Sequence, residues 1–213
     1  MDPVGVAVLV SAAAIAAATV LGAWISDRRR ALTRRLGKVR RVQIRDARDG
    51  ERVRVVGRVV AVDAPLRGWL VEHALAWHSC EVRRTGRPHG VLSERFERTT
   101  FMIEDESGAL LVARTAPTRF VIDHGPPELL TVPERDTNDP RVAQMLPSDA
   151  EAAHMVRVIE KWIPIGSTVA VIGMAHTVRD TAIGLFRGSA PRLELTGTDR
   201  EPLFVSDDDA VLR

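Results

Sequence analysis

One cysteine, Cys80, is present in 213 residues, and His78 lies two positions before it. On a strand, residues two apart point to the same face, so an imidazole could serve a thiol there. A nucleophilic cysteine also needs an electropositive, accessible setting. The plainer reading is a strand cysteine packed in a small core. His73, His78 and His176 could be metal ligands, but no Cys/His/Asp spacing recurs among them, so neither a metal site nor a cofactor is expected. Asp123-His124 and Ser148 suggest a hydrolase, yet no Gly-x-Ser-x-Gly elbow accompanies them. Gly166 and Gly173 do not fit a phosphate-cradling Gly-x-x-x-x-Gly-Lys loop. Asp207-Asp208-Asp209 reads as a solvated end, with weak cation binding as the outside alternative. No catalytic constellation emerges, which leaves binding as the expected role.

The elements that would carry these residues are mostly short strands. Glu51 to Asp63 is a β-branched run with partial alternation, interrupted by Gly57, where a bulge or bend is expected. His73 to Arg84 forms the strand holding His78 and Cys80, and Gly86 to Gly90 is a loop. Ser93 to Ile103 reads as a third strand, Glu106-Ser107-Gly108 as a tight turn, and Ala109 to Ala113 as a fourth strand. Residues 115–147 form a Pro-rich excursion with local β structure at Phe120-Val121-Ile122. Ser148-Asp149-Ala150-Glu151 has the spacing of a capping box, which predicts a helix through Trp162 with Ala152, Met155, Val156, Ile159 and Trp162 on one side. Strands are expected again at 168–173, 182–186, 192–195 and 203–205.

Val4 to Ile25 is a run of 22 uncharged residues. As a helix it would span about 33 Å, enough for a hydrocarbon core of about 30 Å. It has no polar face, and it is too long and lacks the basic start of a cleaved signal peptide. Arg28, Arg29, Arg30, Arg34 and Arg35 follow it, a stop-transfer pattern that keeps Lys and Arg on the cytoplasmic side. In a bacterial cell, residues 26–213 would therefore be cytoplasmic. These arginines set topology and are also placed to meet anionic headgroups. Leu32, Leu36 and Val39 share a helical face, so a short amphipathic helix should continue from the membrane.

The formal net charge of +2 hides an asymmetry. From Ser26 to Arg58, thirteen Lys and Arg stand against four Asp and Glu, whereas residues 59–213 are net −6. A basic collar on an acidic domain, in a chain with 4% aromatic residues, is not the footprint of nucleic-acid binding.

The order of these features resembles the GIDE-type, or beside-a-membrane, domain of mitochondrial membrane-anchored E3 ubiquitin ligases and their prokaryotic relatives. The likeness rests on the membrane helix, the strand Glu51–Val59 with Gly57 inside it, and the Pro65-Leu66 loop. It extends to the Trp77–Val82 strand, the Phe101–Val112 hairpin, the Ile165–Gly173 segment and Leu203–Asp207. It covers roughly residues 49–113 and 160–207; the long Pro-rich insertion and the lack of tyrosine depart from it. A RING needs about eight paired Cys and His ligands. One cysteine and six unclustered histidines cannot supply them, and no second membrane helix is read, so ligase activity is not expected of this chain.

The expected fold is mainly β with one helix, an OB-like small barrel preceded by a single transmembrane helix. Residues 1–25 would be the anchor, 26–48 a basic juxtamembrane segment, and 49–213 the domain with insertion 115–147. The expected function is a non-catalytic binding module at the cytoplasmic membrane face. Its partners would be the lipid bilayer and a protein or peptide; nucleic acid is disfavoured. Loops longer than about 12–15 residues are usually functional or disordered. The apolar Phe120, Val121, Ile122, Leu129 and Leu130 make the excursion the expected partner surface. A GIDE-family role linked to ubiquitin-type ligation, or a Cys-dependent enzyme, is the alternative.

Overall fold

The computed structural model describes residues 27–68, 71–84, 91–122, 128–133, 144–145, 155–178 and 192–213. Residues 27–37 form a helix, here α1, followed by a 3-10 turn at Ile44–Asp46. Twelve strands are described: β1 Arg52–Ala61, β2 Leu66–Arg67, β3 Ala74–Arg84, β4 Val91–Arg98, β5 Phe101–Asp105, β6 Gly108–Val112, β7 Thr118–Val121, β8 Glu128–Pro133, β9 Met155–Pro164, β10 Thr168–Val178, β11 Arg192–Thr196 and β12 Leu203–Ser206. A short helix, α2, spans Asp209–Leu212.

Five strands close on themselves in the order β1-β5-β6-β11-β10, with β10 returning to β1. All neighbours in the ring are antiparallel except β6 and β11, which are parallel at Leu111↔Glu194 and Val112↔Leu195. The β-branched alternation of β1 explains its part. Val53, Val55 and Val59 point inward to meet Ile103, Leu110, Val171 and Leu195 in one core. Gly57 sits where β1 passes from β10 to β5, and a Cβ there would collide with the Glu104 carbonyl oxygen and Ile103 Cγ2. The register with β10 runs unbroken through Gly57, so no bulge forms there, and the glycine permits the close approach of β1 to β5.

β12 and β7 extend this sheet outside the ring, β12 on β10 and β7 parallel to β12. The outer face of β1, β10 and β12 is covered in turn. Leu36 of α1 and Val211 of α2 are buried against Ala170, Ile172 and Phe204, with Leu32, Val39 and Val56 packed beside them. This explains why β10 is apolar on both faces: one lines the barrel and the other lies under a helix. The amphipathic pattern at Leu32, Leu36 and Val39 is thus satisfied by the barrel itself.

A second sheet, absent from the sequence reading, runs β2-β3-β9-β8 with β4 also paired to β3. The segment read as a helix through Trp162 is β9, a central strand between β3 and β8. Val156 and Val158 are buried while Arg157 and Lys161 are exposed. That period of two, with β-branched residues and two antiparallel neighbours, overrides the helical spacing. The capping-box residues 148–151 lie outside the described residues, as do the 86–90 loop and the 182–186 strand. The strand expected at Ser93 to Ile103 is two strands. β4 belongs to the second sheet and β5 to the barrel, and the Thr99 N–H donates to the Ala76 carbonyl between them.

The mainly β, small-barrel expectation agrees with this architecture; the single long helix does not. The expected membrane helix, Val4 to Ile25, lies outside the described residues. Among the described residues, no helix is long and apolar enough to cross a membrane.

Candidate functional site

Two places gather chemistry. The first is the face of the second sheet that holds His78 and Cys80. Both side chains are buried, at 1% and 0% exposure, and the register sets Cys80 opposite Glu160 and His78 opposite Glu97. Glu160 is itself fully buried, with Oε1 3.6 Å from His78 Nδ1; Glu97 Oε2 lies 3.8 Å from His78 Nε2. Gly68 backs the group, since a Cβ there would meet Glu160 Oε1 at 3.2 Å. Two polar side chains thus face each other in an otherwise apolar layer, beyond direct hydrogen-bond distance. Cys80 packs with Val82, Met145, Val156 and Val158. It is therefore a strand cysteine in a small core, without the access a nucleophile requires.

The remaining candidates are dispersed. His73 is exposed before β3, and His176 lies on the barrel strand β10, with Nδ1 3.7 Å from Asp49 Oδ1. Among the described residues no group of three or more His, Cys, Asp or Glu side chains is placed to hold a metal ion. Asp123, His124 and Ser148 lie outside the described residues. The acidic 207–209 stretch is solvated only at Asp209. Asp207 is buried, and Asp208 caps α2 by accepting the Ala210 N–H at 2.9 Å.

The second place is a groove of about 480 Å³ beside α1. Arg35 lines it from the helix, Lys38 from just after it, Arg52 from β1, Arg119 from β7 and Arg200 from the turn before β12, with Phe204 also in its wall. Asp199 and Glu201 are the opposing charges, and Arg52 Nη1 stands 3.3 Å from Glu201 Oε2. Arg29 Nη2 of α1 donates to the Ile122 carbonyl at 2.8 Å. α2 is tied down separately: its Val211 carbonyl accepts from Arg54 Nη1 at 2.9 Å and its Leu212 carbonyl from Arg41 Nη1 at 3.0 Å. Burial, then the neighbouring Arg41, lowers the Arg54 guanidinium from its ordinary value. Arg28, Arg29, Arg30, Arg34 and Arg35 thus project from a helix held in one body with the barrel.

Of the expected partner surface, Phe120 stacks on Trp77, Val121 is buried under α1, and Ile122 packs on the barrel core. Leu129 and Leu130 lie on β8, opposite Ile159 and Val158. The sequence reading missed Glu160 and Glu97. Glu160 is a charged residue at an inward phase of an alternating strand, a signal that helical spacing over the same segment hides. It also missed the groove arginines Arg52, Arg119 and Arg200, which are far apart in sequence.

Comparison with protein-family models, curated proteins and solved structures gives no match.

Proposed function

We propose that this protein is a membrane-anchored, non-catalytic binding module. An OB-like barrel would be held against the membrane surface by a span at Val4 to Ile25, ready for a protein or peptide partner. The ring order with its single parallel pair supports the OB-like part. The observation that carries the reading is the docking of α1. Leu32, Leu36 and Val39 pack on the barrel, so the arginine collar and the groove of Arg35, Lys38, Arg52, Arg119 and Arg200 would face the same headgroup layer. Clustered Lys and Arg beside a span each contribute about 1 kcal/mol of attraction to an anionic surface. The GIDE-type resemblance implies the same placement of a domain beside its membrane helix.

The full chain should stay in membranes through carbonate washing; release would overturn the anchor. Reconstituted in nanodiscs, it should melt higher in phosphatidylglycerol than in phosphatidylcholine. Arg35→Glu with Arg119→Glu should abolish that difference. Equal melting of the unaltered protein in both lipids would overturn the surface contact. The rival reading, a Cys-dependent enzyme, uses the shared face of His78, Cys80 and Glu160. An unchanged phenotype for Cys80→Ala combined with His78→Ala removes it.

A further inference from the structure

We infer that β4 is a self-association strand, which pairs antiparallel with β4 of a second copy about a two-fold axis at Phe96. β4 is at the rim of the second sheet, and among the described residues it pairs only with β3. An open strand edge is a template for another strand, and proteins usually blunt it with repelling charges or proline. β4 does neither. It carries Phe96 at 72% exposure and Val91 at 49%.

The backbone phase is set. The Thr99 N–H donates to the Ala76 carbonyl at 3.0 Å, and peptide groups alternate sides along a strand. Residues 93, 95 and 97 therefore direct their N–H and C=O to β3, and 94, 96 and 98 direct theirs outward; the register shifts beyond Ser93. Two copies related by a two-fold at Phe96 can exchange both Phe96 hydrogen bonds.

The charges then fall into place. The sequence Glu94-Arg95-Phe96-Glu97-Arg98 is complementary to itself when read backward about Phe96. Arg95 meets Glu97 of the other copy, and by symmetry the converse holds, as an isologous interface requires. These are non-hydrogen-bonded positions, where side chains approach most closely. Arg95 Nε already lies 3.0 Å from Glu97 Oε1 of its own strand, so the two copies would form an alternating ring of four charges. Glu94 meets Arg98 in the outer pair. This pair adds less, because Arg98 also donates to Thr118 Oγ1 and the Ala116 carbonyl within its own chain. A register shifted by one residue would set Glu94 against Glu97 and lose the complementarity. A second copy, rather than an unrelated strand, is the occupant this pattern fits.

The test uses the full chain in detergent micelles and sedimentation equilibrium. The unaltered protein should dimerise. Arg95→Glu alone and Glu97→Arg alone should each weaken the dimer about tenfold or more, because the symmetry doubles every repulsive pair. The double exchange should restore it, which separates pairing from misfolding. In membranes under mild oxidation, Phe96→Cys should form a disulfide-linked dimer, because residue 96 faces itself. Glu94→Cys should not, because its counterpart lies about 13 Å along the strands. A monomeric unaltered protein, a dimer indifferent to all the exchanges, or equal linking at 94 and 96 would overturn the proposal.

Discussion

The Trp77 and Phe120 rings are stacked, with centroids 4.2 Å apart and planes inclined by 13°. Trp77 belongs to the second sheet and Phe120 to the barrel sheet, so the stack is a clasp between them. Trp77 is 6% exposed, and truncating a buried tryptophan to alanine costs about 3–5 kcal/mol. Urea unfolding of Trp77→Ala should show a loss of that size. A double-mutant cycle with Phe120→Ala should give a coupling of about 0.5–1.5 kcal/mol, the range for aromatic pairs.

Gly57→Ala should be more disruptive than its size suggests. The added methyl has no space between β1 and β5, and overpacking of this kind costs about 1–3 kcal/mol or more. A melting temperature equal to that of the unaltered protein would show that the barrel can open at this point.

His78 and Glu160 face each other at 3.6 Å inside the second sheet, so removing either buried polar side chain should cost about 1–3 kcal/mol. Both His78→Ala and Glu160→Ala should show this in thermal unfolding. Replacing both with apolar residues of similar volume should be much less damaging.

The turn between β5 and β6 predicts a specific acid response. Burial alone would raise the Asp105 carboxyl. Hydrogen bonds from the Ser107 hydroxyl and from the N–H groups of Ile44, Ser107 and Gly108 outweigh it and hold the carboxyl below its ordinary value. A depressed carboxylate stabilises the fold above its unfolded pKa of about 3.9, and this is lost as pH falls through the folded value. Asp105→Asn should therefore be less stable at pH 6 and lose less on acidification to pH 3. Glu194 has the opposite sign. Burial raises it, with His176 partly offsetting this. Its contribution is present at low pH and lost as pH rises through the folded value, so Glu194→Gln should flatten stability on the neutral side. Melting temperatures across pH 3–7 check both.

Orientation is a separate question from stability. Replacing Arg28, Arg29, Arg30, Arg34 and Arg35 with neutral residues should scramble topology if the Lys/Arg bias sets it. A C-terminal reporter that stays wholly on one side would assign the orientation to another feature.

The barrel was legible where its signals were local. β1 and β10 are β-branched runs, β5 and β6 flank the Glu106-Ser107-Gly108 turn, and Leu203–Val205 is a bounded apolar segment within β12. The second sheet was not legible. β3 pairs with β9 across Cys80 and Glu160, 80 positions apart, and nothing local marks either as the other's partner. β9 also carries apolar residues at both helical and strand spacings, and only its two neighbours decide between them. The buried acid beside His78 was lost with that choice. The docked face of α1 was readable as amphipathic, but the surface it would cover was not.

The second sheet is assembled from two segments that leave the barrel separately, one between β1 and β5 and the other between β6 and β10. This imposes a sequence of events on folding. Emerging from the ribosome, β3 can pair with β4 at once, but its other edge waits until β9 has been made. Closing so long a loop is entropically costly, and pairings distant in sequence form slowly. The ring spans a longer separation still: β1 meets β10 at Val55↔Val171, 116 positions apart, against 80 for Cys80↔Glu160. β3 and β9 should thus acquire amide protection before the ring closes, and the newborn chain carries an unpaired sheet edge until β9 emerges.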